Sequence, residues 1–64
     1  MNNRYCFYWE LSATAKKVAV AEFQQWYDDN VYDNEKKPNW KTEHFAKQWF
    51  DGYGYVFNEN GTRA

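Results

Sequence analysis

The sequence predicts an α+β fold, with two helices packed on one face of a small antiparallel sheet in the order strand, helix, helix, strand. Three patterns predict it. Residues 4–11 alternate apolar and polar with the two-residue period of a half-buried strand. Residues 13–29 and 40–53 carry apolar side chains at steps of three and four, the spacing of an amphipathic helix. After Gly52 and Gly54 the order changes to Tyr55, Val56 and Phe57, a short run with strand chemistry.

Taken in order, the first strand places Tyr5, Phe7, Trp9 and Leu11 on its core face and Arg4, Cys6, Tyr8 and Glu10 on its outer face. Ser12 is suited to cap the first helix, because its hydroxyl accepts from the free amides of the next turn. Within that helix Ala15, Ala19, Val20, Phe23, Trp26 and Tyr27 share a broad stripe, with Lys17, Gln24 and Asp28 opposite. Asp28 and Asp29 oppose the negative end of the helix dipole, so fraying is expected near Asn30. Residues 30–39 turn polar and hold the single proline, the composition of a connecting loop. Val31 and Tyr32 there are suited to anchor the loop or to add a short extra strand at 31–33. Asn39 is the expected cap of the second helix, and Glu43 and Lys47 are spaced for an i,i+4 ion pair. Phe45, Ala46, Trp49, Phe50 and Tyr53 form the apolar face, and Gly52 is read as the stop. The last strand spans 53–58, and Asn60-Gly61-Thr62 reads as a turn followed by a loose tail.

Sixty-four residues make a single domain, 1–64, with a thin stability margin. One cysteine, Cys6, precludes an internal disulfide. Cys6 and the lone histidine, His44, lack the paired spacing of a zinc site, and the acids at 28–35 lack the glycine and glutamate of a calcium loop. No cofactor or metal is expected. There are fifteen aromatic side chains, but the large aliphatics are only Leu11, Val18, Val20, Val31 and Val56. A ring buries about 150–250 Å². Not all fifteen fit inside so small a domain, and rings left at the surface favour binding sites.

A formal net charge of −1 argues against general nucleic-acid binding, which draws on surplus Lys and Arg. No apolar run is long enough to cross a bilayer, and the N-terminal residues lack the pattern of a signal peptide, so a cytoplasmic location is expected. Gly52-Tyr53-Gly54-Tyr55-Val56 partly matches the glycine-aromatic core of the RNA-recognition-motif signature. Asp51 replaces its leading base, however, and Asn58 its last aromatic. Catalysis has little support, since Cys6 would need His44 beside it to act as a nucleophile.

The expected function is therefore protein binding through exposed aromatics. Trp40, on the polar side of the second helical wheel near His44 and Lys47, has the composition of an interface hot spot. The alternative for Trp40 is that it folds back over the loop at Val31 and Tyr32. Tyr8, with Cys6 and Val56, lies on the sheet face that the helices leave open, where two copies could join as a homodimer. The candidate partner-binding residues are Trp40, His44, Lys47, Tyr8 and Tyr32, and the partner is a target protein or a second copy. Short chains without catalytic residues are often regulators or inhibitors, including those carried by bacteriophages. Two other readings are single-strand nucleic-acid binding through sheet tyrosines and a structural subunit of a homo-oligomer.

Overall fold

A computed structural model describes residues 5–64. Arg4, which opens the expected first strand, lies outside them. The elements are a 3-10 turn at Tyr8–Glu10, helix α1 at Ala13–Asn30, a second 3-10 turn at Asp33–Glu35, and helix α2 at Glu43–Tyr53. No strand or sheet forms among the described residues, so the expected α+β architecture is corrected to a pair of packed helices with extended flanking segments. What remains of the sheet is two isolated antiparallel bridges, Cys6 with Phe57 and Phe57 with Arg63.

The first expected strand fails for a local reason. The Glu10 carboxylate reaches back to accept from the Phe7 amide (2.8 Å), and the Glu10 amide donates to the Phe7 carbonyl (3.0 Å). These short-range bonds compete with a ladder and fold Tyr8–Glu10 into a turn of three residues. The alternation is lost there. Cys6, Tyr8 and Leu11 are buried, while Tyr5, Phe7 and Trp9 are exposed, so the expected faces are exchanged from Tyr5 to Trp9 and kept only at Glu10 and Leu11.

Helix α1 begins where expected. The Ser12 hydroxyl accepts from the Ala15 amide (3.1 Å). Its buried residues, Ala15, Ala19, Phe23 and Tyr27, form one i,i+4 row, and Trp26 lies at the exposed margin of that row. The helix runs to Asn30, because Lys36 folds back over its end. The Lys36 ammonium donates to the carbonyls of Asp28 (3.3 Å) and Val31 (2.6 Å) and pairs with the carboxylates of Asp28 (3.5 Å) and Asp33 (2.8 Å). One cation thus occupies the negative helix end that the two aspartates would otherwise worsen. The residues expected as an extra strand instead lead into the Asp33–Glu35 turn.

Helix α2 starts and stops later than its sequence suggests. Thr42, not Asn39, is its cap, with its hydroxyl accepting from the Phe45 amide (3.2 Å). Gly52 lies inside the helix and Gly54 ends it, with φ of 66° in the left-handed region. The Tyr55 amide then donates to the Phe50 carbonyl (3.0 Å), and the two rings pack at 5.3 Å, the bond and contact of a Schellman motif. That motif consumes Tyr53–Tyr55 and leaves too little chain for a strand. Glu43 makes no ion pair with Lys47 among the described residues, because its carboxylate accepts from the Tyr8 hydroxyl (2.5 Å).

The core is aromatic. Phe23 meets Phe45, Trp49 and Phe50 at 5.4–6.1 Å between ring centroids, and Tyr27 meets Phe45 and Trp49. Phe57 joins Phe50 edge-on at 4.9 Å and Tyr8 at 6.4 Å, tying the flanking segments to the helices. Beyond Phe57 the chain turns at 58–61 and packs back on α1, so the expected loose tail is corrected as well. Gly61 is buried with φ of 93°, and a Cβ there would lie 2.1 Å from the Ala15 carbonyl oxygen.

Candidate functional site

The turn at Tyr8–Glu10 directs Tyr8 inward and presents its neighbours outward. Phe7 and Trp9 stack on each other, with centroids 4.7 Å apart and planes within 10°. They remain 44% and 61% exposed. The result is a two-ring ridge that α1 and α2 do not cover.

On one side of the ridge lies a cleft of about 240 Å³ lined by Tyr8, Trp9, Lys16, Glu43, His44 and Lys47. The structure therefore brings together three of the five sequence-selected residues, Tyr8, His44 and Lys47. His44 and Lys47 are exposed on α2. Tyr8 is only 4% exposed, so it forms a wall and not a protruding anchor. Its hydroxyl needs an acceptor once buried and finds Glu43 in the first turn of α2. Burial, the hydrogen bond to Glu43 and that carboxylate's charge hold the phenol well above its ordinary pKa. Lys16 lies 5.7 Å from the Tyr8 ring centroid. Lys16 and Lys47 pair with no carboxylate among the described residues, so the cleft has a cationic rim.

The other two selected residues lie elsewhere. Trp40 precedes α2, is half-buried, and stacks on Tyr27 at 5.4 Å and 24°. The ammonium groups of Lys36 and Lys41 lie 5.9 and 5.3 Å from its ring. It folds back onto α1 more than onto the loop. Tyr32 is 77% exposed beside the Lys36 clamp. The open sheet face of Cys6, Tyr8 and Val56 does not exist, since Cys6 and Tyr8 are core and Val56 is half-buried.

Sequence reasoning missed Phe7 and Trp9, which it placed in the core, and Trp26 and Tyr53, which it placed on buried helix faces. Trp26 and Tyr53 flank Trp49 at 5.9 and 4.9 Å and form a second exposed aromatic group. The signal for Phe7 and Trp9 was Glu10, three residues after Phe7 and able to cap its amide. The free thiol of Cys6 is buried and is not among the groups around His44. Among the described residues no cluster of three or more His, Cys, Asp or Glu side chains is placed to hold a metal ion. No described helix is long and apolar enough to cross a membrane. No protein-family model, curated protein or solved structure matches the chain.

Proposed function

We propose that this chain is a protein-binding module that docks a target protein on the Phe7–Trp9 ridge and the adjoining Tyr8, His44 and Lys47 cleft, and acts as a regulator or inhibitor of that target. The observation that carries the reading is the ridge itself. Two stacked rings held in a fixed turn offer a large apolar area with little side-chain entropy left to lose on binding. Tryptophan bordered by charged groups is also the residue most enriched at interface hot spots. The sheet-tyrosine route to single-stranded nucleic acid loses its platform, because the described residues form no sheet and Tyr8 is buried.

Affinity capture from the native host, followed by identification of the retained protein, tests the proposal. Trp9→Ala should weaken retention by tenfold or more, on the order of the 2 kcal/mol typical of a hot spot. Retention that survives both Trp9→Ala and Phe7→Ala would remove the ridge from any binding role. So would a catch consisting only of nuclease-sensitive nucleic acid.

A further inference from the structure

We infer that the cleft on the other side of Trp9 receives an arginine side chain of the protein partner, an assignment that rests on the binding-module reading above and adds the chemistry of the partner. Phe7, Tyr8, Trp9, Phe50 and Tyr55 line this cleft together with Asp51 and Gly54. Its volume is about 220 Å³. That is below the roughly 300–1,000 Å³ of small-molecule sites and suits a single inserted side chain.

Three independent sources of negative potential converge there. The first is the aromatic faces, whose quadrupoles attract cations. The second is the Asp51 carboxylate, exposed and paired with no Lys or Arg among the described residues. The third is the C-terminal end of α2, which carries the negative end of the helix dipole and no basic residue in its last turn. At α1 the Lys36 ammonium donates to the carbonyls of the equivalent end; at α2 no lysine or arginine among the described residues donates to the last-turn carbonyls.

The choice of arginine follows from a contact the chain makes with itself. The Arg63 guanidinium lies 3.6 Å from the centroid of the Tyr55 ring, in an adjoining cleft that Tyr55 and Arg63 line together. A planar guanidinium stacks on a ring while donating to a carboxylate, and the cleft offers both a ring and Asp51. Lys16 and Lys47 line the other cleft and not this one, so a partner arginine is guided to the cleft that holds Asp51.

The test is a titration of the full chain, followed by amide and indole NMR signals, with three capped tripeptides, Gly-Arg-Gly, Gly-Leu-Gly and Gly-Glu-Gly. The arginine peptide should shift the Trp9 indole and the amides of Phe7, Asp51 and Gly54, and the other two should not. Asp51→Asn, which breaks no side-chain hydrogen bond or ion pair among the described residues, should weaken the arginine titration about threefold or more, and Trp9→Ala should abolish it. Equal shifts from the leucine peptide, shifts from the glutamate peptide, no shift at these positions, or no effect of Asp51→Asn would each overturn the assignment. If one of these results is found while Trp9→Ala still strips a captured protein, the arginine assignment falls and the binding-module reading stands. Loss of the captured protein on Asp51→Asn supports both.

Discussion

Tyr8 shows how one buried hydroxyl fixes the N-terminal segment. Its ring is core and its oxygen donates to Glu43, so the turn at Tyr8–Glu10 is fastened to the start of α2. Removing the hydroxyl leaves a carboxylate facing an apolar ring, and Tyr8→Phe should cost about 1–2 kcal/mol in a denaturant titration. The pH dependence has a definite sign. The folded phenol holds its proton more tightly than the unfolded one, so its contribution is complete below the ordinary value of 10.0 and is lost as pH rises above it. Wild type should therefore lose stability above about pH 10 more steeply than Tyr8→Phe. Glycine supplies a second test at this scale. Gly52 sits inside α2 with open space around it, so Gly52→Ala should stabilise by about 0.5–1 kcal/mol. Gly54 holds the left-handed cap, and Gly54→Ala should destabilise by about 1 kcal/mol. If Gly52 were the stop instead, the two signs would be reversed.

At the scale of elements, each helix end is closed by a different device. Lys36 closes α1. Its ammonium is held protonated above the ordinary lysine range, chiefly by the hydrogen bond to Asp33, and the same bond holds the Asp33 carboxyl below its ordinary value. The Lys36 contribution is complete below pH 10.5 and lost above it, whereas that of Asp33 is complete above pH 3.8 and lost as pH falls below it. Hydrogen exchange at the Val31 amide, which donates to Tyr27, should accelerate in Lys36→Met and in acid below that range. The tail is closed by Gly61. A side chain there meets the α1 backbone at a positive φ, so Gly61→Ala should cost at least about 2 kcal/mol and expose residues 58–64 to proteolysis. The helices were legible in the sequence because their apolar periods are long and Ser12 is an unambiguous cap. The sheet was misread because Tyr5, Phe7, Trp9 and Leu11 in alternation also fit a chain that bends once. Nothing in the period says that Glu10 will turn back on Phe7. The start of α2 was missed because Asn39 and Thr42 are equally good caps in composition, and only Thr42 lies one residue before the helical path.

For the whole molecule, the aromatic surplus is divided between a core that sets stability and rings left exposed at the surface. Phe23, which touches five other rings, should carry several kcal/mol, and Phe23→Ala should cost about 3–5 kcal/mol and unfold so small a domain. Trp9→Ala should change stability by less than about 1 kcal/mol while weakening partner retention by about tenfold or more. Of the sequence-selected site, His44, Lys47 and Tyr8 fall around one cleft because α2 carries the first two at one end and Glu43 draws Tyr8 to the same end. Trp40 and Tyr32 do not join them, since the loop that holds both is pinned at the far end of α1 by Lys36. The central claim is that the N-terminal segment turns Tyr8 inward and Trp9 outward. The direct measurement is the fluorine NMR spectrum of the 5-fluorotryptophan-labelled protein in H2O and D2O, with each of the four resonances assigned by a Trp→Phe variant. Trp9 should show the largest solvent isotope shift, close to that of free 5-fluorotryptophan, with Trp40 and Trp49 well below it. A Trp9 shift as small as that of Trp49 would put its ring in the core and contradict the account.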